Sequence, residues 1–510
     1  MMMQFEQITA FIRSILDPFA SVLANYIPAE WIASLPALTL VLFAFLSLIV
    51  GMRRSPLVVS FIGVILAGLE MILFESSTYG SSFGGLFVRD AFGDFFIWII
   101  LIVAFFVLLS STTFGGDKGA YNFLLLVSFA GAIWVVMATD LVALFVSWEL
   151  MSTPTYVLAA LGPHRGAIDG AMKYFVMGLL STTLMVFGIA LVYGVAGATD
   201  LALVASALSA VWATAAPEAY TVLLSLVLFL IAFGFKVGVF PGWMWVPDTY
   251  STADGSVTGY LAGATKKTGI SALLRILAVA FVVARLEWMP LIVAVSILTM
   301  IVGNALALAQ RNIMRMLAYS SIMVMGVLFV GVAVGTQYGV AAAMFSAFAH
   351  ALIKSGAFIL IWAMAIRLGK EITYDDLAGL SKRSPVSAAL LAVLIFALAG
   401  APFTAGFWFK WFLIPASAVE VGLWWFALIA VLNSVFALGY YLRVIRYCYF
   451  MEPSDDKTFG LARGPLLACD WHPDTRHRAK PCVGLCFQRR CTVCSSLAFD
   501  QKHKDCSARN

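Results

Sequence analysis

Thirteen stretches of this chain are apolar over about 20 residues each, the length that an α-helix needs to cross a bilayer. They lie at roughly 34–52, 55–75, 93–114, 119–139, 141–161, 170–197, 219–245, 255–280, 288–309, 313–335, 339–367, 386–415 and 419–450. Only 12% of the residues are charged, whereas a soluble protein has roughly 25%. This excludes a soluble enzyme, a nucleic-acid-binding module and a disordered chain. The runs do not alternate in polarity, which excludes an outer-membrane β-barrel. The sequence therefore predicts an all-α, polytopic membrane protein.

Basic residues are distributed unevenly between these spans. Lys and Arg cluster in the loops after odd-numbered spans, as at Arg53, Arg54, Arg311, Lys382 and Arg383. The alternate loops carry mainly Asp and Glu. Because cytoplasmic loops are enriched in Lys and Arg, we expect the odd-numbered loops in the cytoplasm and the N-terminus outside. Asp248 and Asp254, after span seven, are the exception to this pattern.

The two ends of the chain differ from the spans. Residues 1–33 predict an amphipathic or poorly ordered lead-in that lacks the features of a signal peptide. Residues 457–510 contain ten Lys or Arg, four Asp or Glu and six of the seven Cys, so they account for the net charge of +5. This tail permits a zinc site, but its irregular spacing favours a disordered, out-of-frame or fused segment in the cytoplasm. The candidate zinc ligands are His472, His477, Cys482, Cys486, Cys491, Cys494 and Cys506.

Several ionisable side chains interrupt the apolar spans, where each charge at mid-helix costs about 2.5–3.5 kcal/mol. Burial disfavours the charged form of an amine and a nearby carboxylate favours it, so such groups can accept and release protons. His350 and Lys354 are four residues apart and share a helix face. The alternatives are packing ion pairs, a satisfied core histidine, and snorkelling by one of the adjacent Lys266 and Lys267. The predicted proton-relay residues are Glu149, Lys236, Lys266, His350, Lys354 and Lys410.

Two spans contain helix-breaking residues within eight residues of a lysine. These residues predict discontinuous helices, with ordinary proline kinks as the alternative. Their separation by five spans predicts inverted repeats at 119–280 and 288–450, after N-terminal spans within 34–118. Lys236 and Lys410 would then occupy equivalent positions. The breaking residues are Gly234, Gly238, Pro241 and Gly242 in span seven, and Gly400, Pro402 and Gly406 in span twelve.

Before the tail, the sequence contains no bis-histidine pair, CxxC motif, glycine-rich phosphate loop or nucleophile elbow. It therefore predicts no metal site, no bound cofactor and no redox centre on this chain.

Several long motifs resemble the antiporter-like membrane subunits of respiratory complex I, a superfamily that includes multisubunit sodium/proton antiporters and membrane-bound hydrogenases. They are WELMSTPTYVLAAL around Glu149, FGFKVGVFPGWMWVPDTY around Lys236, HALIKSGAF around His350 and Lys354, and APFTAGFWFKW near Lys410. The string YYLRVIRYCYF at 440–450 is most similar to the subunit N group of NADH-quinone oxidoreductases. The resemblance extends over about residues 35–456.

This resemblance implies a proton-translocating subunit of the cell inner membrane, surrounded by other membrane-arm subunits and lipid. NADH oxidation and quinone reduction would take place on partner subunits, which would hold FMN, iron–sulfur clusters and quinone. Glu149 and Lys236 would form the coupled pair, and Lys266 would bridge two half-channels. His350 would belong to the onward relay, and Lys410 would serve the second half-channel.

The chain departs from the family pattern at three points. Thr265 stands where the family usually has Pro, Lys267 is an additional base, and the family's fourteenth helix is replaced by the polar tail. Three alternatives remain open at this stage. The chain could be a sodium/proton antiporter subunit, a non-pumping structural subunit, or part of a complex supplied by reduced deazaflavin or ferredoxin.

Overall fold

The computed structural model describes residues 27–74, 80–163, 166–214 and 216–453. Within these ranges the chain is almost entirely helical, which confirms the predicted all-α class. The exception is a small antiparallel hairpin of β1 (Ser81–Ser82) and β2 (Phe87–Val88), with Ser81 opposite Val88. Most of the predicted lead-in and the whole of the 457–510 tail lie outside the described residues.

The helices follow the apolar spans closely. In the first half they are α1 (Ala29–Ile32), α2 (Leu35–Gly51), α3 (Leu57–Leu73), α4 (Ala91–Ser110), α5 (Lys118–Met137), α6 (Leu141–Ala160), α7 (Ala167–Ala196), α8 (Leu201–Ala213) and α9 (Glu218–Val237). Short polar residues set several of their starts. The carboxylates of Asp90, Asp117, Asp140 and Asp200 accept hydrogen bonds from the first free amides of α4, α5, α6 and α8.

The remaining helices include three π-helical turns, at Leu261–Thr265, Ile276–Ala280 and Trp408–Leu413. The α-helices are α10 (Trp245–Thr252), α11 (Gly255–Tyr260), α12 (Lys266–Arg275), α13 (Arg285–Leu308), α14 (Ile313–Val334), α15 (Gln337–Leu368), α16 (Leu380–Arg383), α17 (Pro385–Ala399), α18 (Ala405–Phe407), α19 (Ile414–Glu420) and α20 (Trp424–Phe450).

Nine helices among the described residues are long and apolar enough to cross a membrane. Shorter apolar helices occupy predicted spans one and two, as α2 and α3, and the first part of span twelve, as α17. The boundaries agree with the predicted spans to within a few residues, except where a span breaks. One apolar helix was not predicted: α8, of 13 residues, lies between spans six and seven.

Two helices end where Gly and Pro predicted a discontinuity. α9 is followed by Gly238 and α17 by Gly400, with positive φ angles of 77° and 83°. Glycine adopts this left-handed conformation without the penalty that a Cβ imposes. The helices therefore end at these glycines rather than bend at a proline kink. The same capping bond follows each glycine, from the Val239 amide to the Gly234 carbonyl and from the Ala401 amide to the Phe396 carbonyl.

The lysines do not occupy equivalent backbone positions about these two breaks. Lys236 precedes Gly238 by two residues, whereas Lys410 follows Gly400 by ten. The equivalence of the two lysines in an inverted repeat stays a prediction. The Lys410 amine nevertheless donates to the carbonyl of Leu398, two residues before Gly400. The long Lys410 side chain thus extends back to Leu398. Like Lys236, Leu398 lies two residues before a left-handed glycine.

The centre of the helical assembly is α14. Its residues are buried almost throughout, because α10, α13, α15, α19 and α20 all pack against it. A helix that is apolar on every side is typical of such a position. Two serines of this helix, Ser321 and Ser320, contact Lys266 and Lys354, one lysine from each half of the chain.

Candidate proton-relay site

The predicted relay residues are deeply buried, with one exception. The side chains of Lys236, Lys266, His350, Lys354 and Lys410 have no exposed surface, and Lys267 is 1% exposed. Glu149 is half-buried. Because both Lys266 and Lys267 are buried, the alternative that one of them snorkels is wrong.

Lys236 lies in the last turn of α9 and reaches α6 and α7. Its Nζ donates to Tyr174 OH at 2.6 Å and to Ser152 Oγ at 2.9 Å. It also lies 5.1 Å from the centre of the Tyr174 ring, which stacks on Trp245 at 4.1 Å. Two hydroxyl oxygens thus replace part of the water that a charged amine would otherwise bind.

Glu149 does not contact Lys236 directly. Its Oε1 accepts a hydrogen bond of 2.7 Å from Thr182 Oγ1 on α7, and no Lys or Arg nitrogen among the described residues lies within 4.0 Å of it. Ser152, which accepts from Lys236, lies three residues after Glu149 on α6. The Lys236 amine therefore bonds a serine that lies one helical turn along α6 from the Glu149 carboxylate.

Lys266 lies directly after a π-helical turn and faces the break that follows α9. Its Nζ lies 3.3 Å from Ser321 Oγ and 5.2 Å from the centre of the Tyr250 ring. A Cβ added to Gly238 would lie 3.2 Å from the same Nζ. The glycine that ends α9 therefore also leaves room for the Lys266 amine.

Lys267 points to a different neighbour. Its Nζ lies 2.8 Å from His350 Nδ1 and donates to the Ala262 carbonyl at 2.5 Å. His350 Nε2, on the other edge of the ring, is buried and has no hydrogen-bond partner among the described residues. Among the described residues, no hydrogen bond joins His350 to Lys354: His350 Nδ1 contacts Lys267, and the Lys354 amine donates to Leu317. A direct exchange between them is therefore not seen, and the exchange through water stays a prediction.

Lys354 and Lys410 face one aromatic ring from two helices. The Lys354 amine donates to the Leu317 carbonyl at 2.9 Å and to Ser320 Oγ. The amines of Lys354 and Lys410 lie 5.9 and 5.4 Å from the centre of the Tyr441 ring on α20. Lys410 itself projects from the π-helical turn in span twelve. The structure thus brings these two predicted residues to a common site.

Sequence reasoning missed the hydroxyl groups that contact these amines. Ser320 and Ser321 are adjacent on α14, and they bond Lys354 and Lys266 respectively. Ser152, Tyr174 and Tyr441 were also missed. The sequence carries little signal for them, because Ser in an apolar helix usually bonds its own backbone, as Ser320 also does with Leu317.

No group of three or more His, Cys, Asp or Glu side chains that could hold a metal ion occurs within the described ranges. The site consists of amines, one imidazole, one carboxylate and hydroxyls. Such groups can hold and pass protons, provided that water or side-chain rotation closes the gaps between them.

A model of the family described as "NADH:quinone oxidoreductase/Mrp antiporter, TM" matches residues 138–437. The chain belongs to this family. It is a multi-pass membrane protein. The match confirms the resemblance read from the motifs, and it spans every predicted relay residue from Glu149 to Lys410.

Relatives with sequence similarity over most of the chain give the same result. The chain is 37% identical to NADH-quinone oxidoreductase subunit N of Parvibaculum lavamentivorans, over 75% of this chain and 79% of the relative. It is 35% identical to F(420)H(2) dehydrogenase subunit N of Methanosarcina mazei, over 82% and 89% respectively. Among solved structures, a chain of respiratory complex I from Thermus thermophilus matches with a TM-score of 0.69 and 25% identity, covering 82% of this chain and 91% of that one.

Proposed function

We propose that this chain is a proton-translocating membrane subunit of a complex I-like NADH:quinone oxidoreductase, a translocase of respiratory electron transport. The observation that carries the proposal is the set of buried amines from Lys236 to Lys410, of which Lys236, Lys266 and Lys354 contact hydroxyls on α6, α7 and α14. Electron transfer from NADH to quinone would take place on partner subunits, which hold FMN, iron–sulfur clusters and quinone. The neighbours of this chain are then other membrane-arm subunits and lipid.

Retention of these charges supports transport over a merely structural role. Four lysines, Lys236, Lys266, Lys354 and Lys410, cost roughly 10–14 kcal/mol in total at mid-membrane before any pairing. None of their amines has a carboxylate within 4.0 Å among the described residues. A structural subunit gains nothing from unpaired amines, whereas a proton path uses amines that can be neutral or charged.

The roles follow the order of contacts. Glu149 and Lys236 form the first part of the relay, since Lys236 bonds Ser152, which lies one turn after Glu149 on α6. Lys266 bridges the two halves, because it lies beside the break after α9 and contacts Ser321 on α14. His350, Lys354 and Lys410 continue the path on α15 and span twelve. The halves correspond to repeats at 119–280 and 288–450, preceded by the spans within 34–118.

We infer an inner-membrane location with the N-terminus outside and the 457–510 tail in the cytoplasm. The contacts of Asp248 support this orientation. This acidic residue departed from the charge pattern, yet it bonds Lys173 at 2.6 Å and Arg315 at 2.8 Å. An acid that neutralises two bases at one end of the bundle is compatible with a basic cytoplasmic face.

A second electron donor is favoured by one observation. The relative from Methanosarcina mazei is a subunit of an F(420)H(2) dehydrogenase, so similar chains also serve donors other than NADH. The donor would bind a partner subunit, and the relay in this chain would be the same. Identifying the subunits that copurify with this chain distinguishes the two complexes, and also distinguishes both from an antiporter without redox partners.

The decisive test is Lys236→Ala in the assembled complex reconstituted into proteoliposomes. We expect proton uptake to fall by about 100-fold, since a positioned proton carrier contributes that much or more. Lys382→Ala is the control, because Lys382 is 62% exposed and pairs with Glu452 at the surface. Unchanged pumping by an intact Lys236→Ala complex would show that this chain is a structural subunit.

A further inference from the structure

Lys267 is a buried base to which the family resemblance assigns no role. It lies in the first turn of α12, directly after the π-helical turn Leu261–Thr265. The turn carries the carbonyl of Ala262, which accepts from the Lys267 amine, and the amine lies 2.8 Å from His350 Nδ1 on α15. Short π-helical segments inside α-helices are frequent at functional sites.

The chemistry of this contact limits the number of protons it can hold. A lysine ammonium only donates hydrogen bonds, so it requires a neutral His350 with a free lone pair on Nδ1. A protonated imidazole donates from Nδ1, so it requires a neutral Lys267 amine. If both groups were charged, two donors would face each other without an acceptor. The pair therefore holds at most one excess proton, on either residue.

The surroundings leave this proton without a fixed counter-charge. Lys267 is 1% exposed and His350 is fully buried, and no carboxylate among the described residues lies within 4.0 Å of the Lys267 amine. In buried surroundings of low polarity, two positive charges repel each other more strongly, and this repulsion excludes a second proton from the Lys267–His350 contact. On the far edge of the ring, no group in the described part of the chain forms a hydrogen bond with His350 Nε2. One edge of the imidazole thus receives from Lys267 while the other is free.

We propose that Lys267 and His350 are a proton-sharing pair that links α12 to α15, in parallel with the Lys266–Ser321 contact. The Lys267 ammonium transfers a proton to His350 Nδ1 and becomes a neutral amine. The imidazolium then releases its Nε2 proton to a water molecule, which leaves a neutral ring that carries hydrogen on Nδ1. The starting state is restored when the ring hydrogen moves from Nδ1 to Nε2 by exchange with water and a water molecule on the entry side supplies a new proton to the Lys267 amine. The inference rests on the proposed function of the chain.

If the Lys267–His350 and Lys266–Ser321 contacts carry protons in parallel, the effects of variants can be predicted. They are measured on the assembled complex in proteoliposomes supplied with NADH and quinone. Lys267→Gln keeps a hydrogen-bond donor but cannot exchange a proton, so we expect proton uptake per NADH oxidised to fall roughly two-fold. His350→Gln alone should produce the same loss, and adding it to Lys267→Gln should produce no further loss. Combining Lys266→Gln with Lys267→Gln should lower uptake by about 100-fold, because both links are then absent.

The outcomes separate this inference from a structural role and from the proposed function itself. Wild-type pumping by Lys267→Gln overturns the proposed proton-sharing pair, because glutamine can replace the hydrogen bond of Lys267 but cannot transfer a proton. Multiplied losses in the Lys267→Gln His350→Gln double variant overturn it as well. If Lys267→Gln does not assemble, Lys267→Met fills the same space and is measured instead. If both Lys267→Gln and Lys236→Ala pump normally, the proposed function fails. If only Lys236→Ala is defective, the proposed function stands and the proton-sharing pair is overturned. Lys382→Gln, at the exposed surface, is the matched control.

Discussion

Individual buried amines in this protein rely on hydroxyl and carbonyl oxygens for solvation. Lys236 has two hydroxyls, Lys354 has one hydroxyl and one carbonyl, and Lys410 has one carbonyl. These neutral acceptors tolerate either protonation state of an amine, because they do not supply the full negative charge of a carboxylate. A relay needs this tolerance, whereas a permanent buried ion pair would hold its proton.

Tyr174→Phe tests the solvation of Lys236. The substitution removes the hydroxyl at 2.6 Å and leaves the buried amine with Ser152, so we expect a loss of about 1–3 kcal/mol in stability. Proton uptake should fall with it. Tyr193→Phe, on the same helix but 54% exposed, is the control and should have little effect. Equal melting temperatures for the two variants, measured by thermal unfolding of the purified complex, would contradict the prediction.

Asp376 provides a pH-dependent test in the loop between α15 and α17. Partial burial opposes ionisation, but the hydrogen bonds from Lys370 and Thr373 outweigh it and lower the pKa of this carboxyl. A carboxyl with a lowered pKa stabilises the fold above its unfolded value of about 3.9. That contribution is lost as the pH falls through the lower pKa of the folded protein.

We therefore expect Asp376→Asn to lower stability by about 1 kcal/mol at pH 7. The difference from the wild type should shrink as the pH drops below about 4. Melting temperatures measured between pH 3 and pH 7 check this, over a range set by the unfolded pKa of about 3.9. Asp375→Asn, at the exposed neighbouring residue, serves as the control. A constant difference across the whole range would show that the charge of Asp376 is not responsible.

At the scale of the elements, the two helix ends after α9 and α17 are the features that create space for amines. Each left-handed glycine lies beside a lysine side chain: a Cβ on Gly238 would approach Lys266 Nζ, and one on Gly400 would lie 3.4 Å from Lys410 Cδ. Backbone freed from helical bonding is tolerated at membrane depth only where protein or water satisfies it. The breaks therefore combine polar backbone with the ionisable groups that need it.

Gly238→Ala tests this arrangement. A left-handed alanine costs roughly 1–2 kcal/mol, and its Cβ would lie 2.8 Å from Val246 Cγ2 as well as close to the Lys266 amine. We expect a lower melting temperature and reduced proton uptake. Gly194→Ala is the control, because no heavy atom lies within 4 Å of its added Cβ, and helix propensity should make it slightly stabilising. Similar behaviour of the two variants would contradict a special role for the break.

At the scale of the whole molecule, the buried polar contacts cross from the first half of the chain to the second through α14. Ser321 contacts Lys266 from the first predicted repeat, and Ser320 contacts Lys354 from the second. The series therefore does not end at the boundary between the repeats. A continuous path of this kind is what lateral proton transfer between two half-channels requires, once water fills the remaining gaps.

The tail provides a prediction about the whole chain. Its composition separates it from the membrane body, so we expect deletion of residues 457–510 to leave assembly and transport unchanged. Proton uptake by the truncated chain, assembled with its partners, checks this. Loss of a zinc-dependent activity on truncation would instead support a metal site formed by the cysteines of the tail.

The fold class, most helix boundaries and both helix breaks could be predicted from the sequence because their causes are local. About 20 apolar residues suffice to define a spanning helix, and a cluster of Gly and Pro weakens a helix locally. Single prolines do not suffice, because Pro154 and Pro290 lie inside α6 and α13. The candidate lysines were equally visible, since a charge within an apolar run stands out from its neighbours. The helix α8 was missed because its 13 residues are too few to span a membrane.

Tertiary structure alone decided which groups meet. Lys266 and Lys267 are adjacent in sequence, yet one faces Ser321 and the other His350, 83 residues away. Neighbouring residues on a helix point about 100° apart, so the packing of α14 and α15 around α12 determines the partner of each. The same packing separates Glu149 from direct contact with Lys236 and brings the Lys410 amine back to Leu398. Local sequence patterns identify the ionisable groups, whereas contacts between distant helices determine the order in which protons can pass.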